Sequence, residues 1–195
     1  MAEETRGAGR RAGRPATLSR ELIVAAARRI ADAEGLDALT VRRVAHALGT
    51  GPASLYRHFA DREELLGLLA RDVAERLTPL ARAARQAEGA PAVRLEVLWR
   101  ESRDALAAHP WAVRIIAEGV HVVDEAAPFA EAVLALLASA GLAPGEARAA
   151  YRALWDFLIG HLLNAHPVGH GSAAPSGADD YAWALPRLLR GLLAE

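Results

Sequence analysis

The chain has no cysteine, no lysine, one methionine and few aromatic residues, 5% in all, over 195 residues. Without cysteine there is no disulfide framework, no thiolate nucleophile and no cysteine-ligated zinc or iron–sulfur site. No apolar run approaches the roughly 20 residues that span a bilayer, so no transmembrane helix is expected. The first residues, Met-Ala-Glu-Glu-Thr-Arg-Gly, lack the apolar stretch of a secretory signal, and the expected location is cytoplasmic.

Catalytic signatures are missing as well. There is no Gly-x-Ser-x-Gly, no phosphate-cradling glycine loop after a strand, and no His-Glu-x-x-His. Asp124 with Glu125 and Asp179 with Asp180 read as solvated caps. His166 and His170 are four apart, but they lie in a glycine-rich stretch with no helix to align them on a metal. The expectation is therefore a protein that is not an enzyme and holds no metal or cofactor.

What is present is a globular composition, 52% hydrophobic and 24% charged, in a length that suits one or two domains. The net charge of −1 hides an asymmetry. Residues 1–62 carry 11 arginines against seven acids, and residues 63–195 carry 12 against 17. A basic front and an acidic back imply that only the front meets a polyanion. Residues 1–17 hold Arg6, Arg10, Arg11 and Arg14 among glycine and alanine and read as a flexible basic arm, with Arg14 the candidate for an adjacent minor groove.

From Ser19 onward apolar residues recur at helical spacing, and no run has the period of two that marks a strand. The pattern predicts a first helix over 20–34, stopped by Gly35. Thr40 caps a short second helix that ends at Gly49. Pro52 opens a short third helix with Leu55 and Phe59 inward, and Asp61 caps a fourth that runs towards Pro79. Further helices are expected over 91–108, 110–121, 126–140, 145–165 and 179–193, with a mobile loop before the last. Pro186 demands a kink or a late start in that final helix.

Two short helices joined by a tight glycine turn and packed on a preceding helix make a helix-turn-helix unit. Ala45 is small where helices approach, Gly49 follows where the backbone turns, and Leu55 points back to the core. Thr40, Arg42, Arg43, Thr50, Gly51, Ala53, Ser54, Tyr56, Arg57 and His58 then face outward. Short Ala53 and Ser54 let a helix approach base edges, and Arg57 is the candidate for a bidentate guanine contact.

Residues 19–66 resemble the DNA-binding domain of the TetR family of transcriptional regulators. The likeness rests on Ala38-Leu39-Thr40-Val41-Arg42-Arg43-Val44-Ala45, Leu48-Gly49, Pro52-Ala53-Ser54-Leu55-Tyr56-Arg57-His58-Phe59 and Asp61-Arg62-Glu63-Glu64-Leu65-Leu66. Ala107-Ala108-His109-Pro110-Trp111 and the helix count resemble the tetracycline-repressor type of C-terminal domain. The resemblance implies an all-α fold with an arm at 1–17, a DNA-binding domain at 18–66 and a ligand-binding and dimerisation domain at 67–195. It implies that Pro52 to His58 enters the major groove of double-stranded DNA, that Tyr56 and His58 touch the backbone, and that Thr40 and Arg62 meet phosphate.

For the C-terminal part the resemblance implies that the last two helices form a homodimer interface, for which Phe157, Leu185, Leu188, Leu189 and Leu192 are the candidates. Trp99, Arg103, His109, Trp111, His121, Phe129, Trp155, Leu158 and His161 are the candidates for an apolar ligand cavity. The four tryptophans and His161 fit a packed core as well as a ligand site. The expected function is a ligand-responsive regulator, a repressor that reads a pseudo-palindromic operator and is released by a small apolar or aromatic effector. The alternative is a DNA-binding regulator whose C-terminal part only dimerises or takes a protein partner.

Overall fold

A computed structural model describes residues 18–163 and 178–193. The expectations for Arg14, His166, His170 and the 166–177 loop lie outside the described residues, among which every regular element is a helix and no strand occurs. α1 (Arg20–Glu34) starts where Ser19 Oγ accepts the Leu22 amide and stops at Gly35, whose φ of 81° suits glycine. α2 (Val41–Ala47) is capped by Thr40 Oγ1, which accepts the Arg43 amide at 3.1 Å. α3 (Pro52–Leu55) is one turn long, shorter than the spacing predicts. Its exit tightens because the His58 amide donates to the Leu55 carbonyl three residues back, and this turn delivers Phe59 to the core.

α4 (Arg62–Gln86) opens with a reciprocal cap: the Glu64 amide donates to Asp61 Oδ1 while the Ala60 amide donates to Glu64 Oε2. The helix runs through Pro79 and continues two turns beyond it to Gln86, at the break the sequence marks before Pro91. Pro79 deprives the Glu75 carbonyl of its partner, and both residues lie on the solvent side, where water serves. Ala81 and Ala84 on the opposite side stay buried and hold the remainder down. At its end, Arg94 donates to the Ala84 and Arg85 carbonyls and closes the C-terminus.

α5 (Pro91–Ala107), α6 (Pro110–Glu118), α7 (Ala127–Ser139), α8 (Pro144–Leu163) and α9 (Ala178–Leu193) complete the chain. α4 packs on α5, α6 and α7, α7 packs on α8, and α9 lies on α5. α4 thus belongs to the first unit by its start and to the second by its body.

Pro186 sits inside α9 without ending it, and the helix starts at Ala178, well before the proline, against the late start that the sequence allows. The carbonyl it leaves without a helical donor is that of Ala182, and Arg100 Nη2 on α5 donates to that oxygen at 3.2 Å. A neighbouring helix supplies the missing bond. None of the described helices is long and apolar enough to cross a membrane.

Candidate nucleic-acid interface and internal cavity

The turn between α2 and α3 is fixed by backbone alone. The Thr50 amide donates to the Ala45 carbonyl at 3.0 Å, and Gly49 takes a φ of 63° that side chains rarely adopt. Ala45, Leu55 and Phe59 are buried beneath it. Arg42, Gly51, Pro52, Ala53, Tyr56 and Arg57 are exposed on one side, with Thr50, Ser54 and His58 partly exposed among them. Tyr56, at the end of α3, is 54% exposed although a tyrosine ring would gain from burial. The Thr40 hydroxyl spends a lone pair on its cap and keeps its own proton for an outside acceptor.

Two arginines near this surface are committed inward. Arg43 pairs with Glu34 of α1, which lowers the Glu34 carboxyl below its usual range through the hydrogen bond it accepts. Arg62 donates through Nε to the Leu39 carbonyl at 3.1 Å and through Nη2 to the Leu36 carbonyl at 3.0 Å. Its guanidinium therefore ties the first turn of α4 to the segment that leads into Thr40. Sequence reasoning gave Arg62 only a phosphate; its partners are 23 and 26 residues away in the chain and leave no local signal.

Behind the helix-turn-helix lies an apolar cavity of about 300 Å³. Its floor is α4, with Ala70, Val73, Ala74 and Leu77; its walls are Ile115 and Ile116 of α6, Phe129 of α7, and Tyr151 and Trp155 of α8. The linker after α6 forms one side with Gly119, His121, Val122 and Val123. Gly119 turns that linker away from α6 at a φ of 65°. Burial raises the Tyr151 phenol above its ordinary value, so it stays a protonated donor.

Of the residues expected in the cavity, the structure brings together His121, Phe129 and Trp155. Trp99 stands one layer behind, buried, with its ring 5.2 Å from Trp155 and 6.1 Å from Phe129. Leu158 is buried core, and Arg103 and His161 lie with Tyr181 between α5, α8 and α9. Burial and the Arg103 charge, opposed by Asp180, hold the His161 imidazole below its usual value. The fold thus favours neutral His161: its contribution is complete above the unfolded value of about 6.5 and is lost as pH falls through the depressed folded one. Thermal unfolding at pH 7 and pH 5 should accordingly show a larger drop for wild type than for His161→Gln.

His109 and Trp111 are corrections to the sequence reading. Both turn to α1: His109 Nδ1 lies 2.7 Å from Asp32 Oδ1, and Trp111 Nε1 donates to the same oxygen. Arg114, one turn on, stands 3.6 Å from Asp37. α6 therefore presents Ile115 and Ile116 to the cavity while its first turn is bonded to the helix-turn-helix unit.

Leu185 and Leu189 also differ from expectation. They are buried against the chain's own core, in line with Tyr181, whose hydroxyl donates to the Trp99 carbonyl at 3.3 Å. Phe157 stacks on that tyrosine with ring centroids 5.0 Å apart. Leu188 and Leu192 remain half-exposed, and Trp183 is 63% exposed with the Arg187 guanidinium 3.9 Å over its ring.

Residues 23–69 match the family described as bacterial regulatory proteins, tetR family, and residues 85–182 match the tetracyclin repressor-like C-terminal domain. The HTH-type transcriptional repressor DrrR1 of Streptomyces coeruleorubidus is 36% identical over 144 residues, 74% of this chain and 52% of that protein. This chain spans between half and three-fifths of the curated relatives that match most of it. The crystal structure of apo ActR from Streptomyces coelicolor superposes with a TM-score of 0.77 at 28% identity, covering 92% of this chain and 96% of ActR. ActR in complex with actinorhodin matches at 34% identity with a TM-score of 0.68, over 76% and 68% of the two chains. BioQ with its double-stranded DNA operator matches at 27% identity with a TM-score of 0.67, over 92% and 100%. The helix-turn-helix at the front, the helical unit behind it and both family matches make this chain a member of the TetR family of DNA-binding transcriptional regulators.

Proposed function

We propose that the protein is a homodimeric repressor that binds a pseudo-palindromic operator through α2 and α3 and is released when a small apolar or aromatic effector enters the cavity. One observation carries this reading: α4 and α6 are at once walls of the cavity and neighbours of the helix-turn-helix unit. A ligand that fits better when α6 has shifted pulls on Asp32 through Trp111 and His109. A ligand with equal affinity for both arrangements shifts nothing, so the coupling is limited to its differential affinity, commonly about 1–3 kcal/mol. The complexes of ActR with actinorhodin and of BioQ with its operator support each half of this scheme by likeness.

Exposure on the surface of α2 and α3 supports a division of roles. Tyr56, His58 and the Thr40 hydroxyl position the protein on phosphates, while Ala53, Ser54, Thr50 and Arg57 face base edges beyond Gly51 and Pro52. Arg42 adds charge, Arg14 extends the contact if the arm follows the groove, and Arg62 holds the reading head in place. The binding test is selection of sites from random duplex DNA at fixed moderate salt. A two-fold symmetric motif with half-sites roughly one helical turn apart, about 34–36 Å, is the expected outcome. No enrichment from a folded dimer would sink the operator reading. Arg57→Ala should cost about 1–3 kcal/mol on the selected site and relax preference at one base position; unchanged affinity and preference would remove Arg57 from the interface.

The dimer is assigned to the exposed side of α8 and α9, with Phe157, Leu188, Leu192 and Trp183 at its centre. Leu188→Arg should convert the dimer to monomer in sedimentation, because it would bury an unpaired charge. An unchanged profile moves the interface elsewhere.

A further inference from the structure

His121 is unlike every other polar group around the cavity. It lines the void, its side chain is only 9% exposed, and its Nε2 is buried without a hydrogen bond among the described residues. A buried ring nitrogen left in that condition costs free energy that the fold does not recover from its own groups. Its nearest charged neighbour is Glu63 Oε2, 3.6 Å away and beyond hydrogen-bond range, on a side chain that is 67% exposed. Glu63 is in the first turn of α4, and its other oxygen stands 3.8 Å from Arg62 Nη1. Arg62 in turn holds the carbonyls of Leu36 and Leu39 at the entrance to α2.

We propose that His121 is the polar anchor of the effector, that the effector is an aromatic acid, and that its carboxylate accepts the Nε2 hydrogen bond that Glu63, at 3.6 Å, does not make. This rests on the effector reading above and specifies the ligand of that cavity. Phe129, Tyr151 and Trp155 supply faces for flat rings, and α4 adds only alanine, valine and leucine. One imidazole N–H serves one acceptor well, and a carboxylate seated on it makes the stronger, charge-assisted bond. The same carboxylate lies against Glu63 with like charge, so Glu63 must swing out and loosens its contact with Arg62. That repulsion gives the ligand different affinities for the two arrangements of α4, without which binding moves nothing. A neutral molecule of the same shape fills the cavity but leaves Glu63 in place.

The test uses the full chain and two probes of one skeleton, anthraquinone-2-carboxylate and anthraquinone-2-carboxamide, titrated calorimetrically without DNA. The acid should bind wild type about tenfold tighter than the amide, as a charge-assisted bond exceeds a neutral one. His121→Gln should erase that difference, and Glu63→Gln, at an exposed position, should tighten acid binding several-fold because the like charge beside the carboxylate is gone. On an operator obtained by selection, the acid should release wild type at lower occupancy than the amide and should release Glu63→Gln poorly. Equal binding of acid and amide, binding of neither, or an acid preference that survives His121→Gln overturns the proposal. The DNA-free titration separates that failure from failure of the operator reading, which site selection tests alone.

Discussion

Trp99→Ala is expected to lower the unfolding free energy by about 3–5 kcal/mol, the range for removing a large aromatic from a core that cannot collapse. Trp99 is buried at 0% exposure and meets Phe129 and Trp155 edge-on at 6.1 and 5.2 Å. Each such aromatic contact adds to the area term, and all three rings sit on different helices. The void left by the indole would be walled by α5, α7 and α8, whose backbones are held by other contacts, and would join the existing cavity through Trp155. Trp99 Nε1 has no hydrogen-bond partner among the described residues. Trp99→Phe should therefore cost much less than the alanine variant, since it removes an unsatisfied donor while keeping a ring. Urea denaturation of the three proteins checks the ordering; a loss below about 1 kcal/mol for the alanine variant would mean the layer repacks freely.

The second large effect is expected at Asp32. One carboxylate oxygen receives both His109 Nδ1 and Trp111 Nε1, and Trp111 is 3% exposed. Asp32→Ala strips both donors of their acceptor at the junction of α1 and α6. Charge-assisted bonds contribute about 1.5–3 kcal/mol each, and the pair, partly exposed on the Asp32 side, should amount to roughly 2–4 kcal/mol. The loss should also be uneven. With α1 released from α6, unfolding followed by tryptophan fluorescence should separate from unfolding followed by far-ultraviolet circular dichroism, because Trp99, Trp111, Trp155 and Trp183 all lie outside α1 to α3. Asp32→Asn keeps an acceptor and should retain most of the cooperativity. Coincident transitions in the alanine variant would show that Arg28–Asp72 and the apolar contacts hold the units together unaided.

The parts of the fold that were legible in the sequence are those decided locally. Ser19, Thr40 and Asp61 cap helices with side chains three residues from their targets, and Pro52, Pro91 and Pro110 open helices by their own geometry. The parts that were not legible are decided across the fold. Pro186 reads as a demand for a kink or a late start until Arg100, far away in sequence, is seen to satisfy the freed carbonyl. His109 and Trp111 read as cavity residues because their chemistry suits a ligand, whereas the acceptor that claims them lies 77 and 79 residues earlier.

The cavity was half legible for a related reason. His121, Phe129 and Trp155 stand out by type, but a void is also made by residues too small to fill it. Ala70 and Ala74 look like ordinary helix interior until they are found facing Phe129 and Trp155 across open space. Leu185 and Leu189 show the converse: their spacing marks an apolar stripe without saying whether it faces the chain's own core or a partner.

The proline in α9 removes a single bond from that helix's ladder and leaves the rest continuous. The first piece, up to Ala182, is fastened to α5 by Tyr181 and by the Arg100 bond, while the second piece, after Pro186, runs on to Leu193 without such a tie to Arg100. Opening of the second piece does not require the Ala182 bond to break. Amide hydrogen exchange in α9 should therefore occur in two steps, with the C-terminal amides exchanging at lower cost than those next to Tyr181.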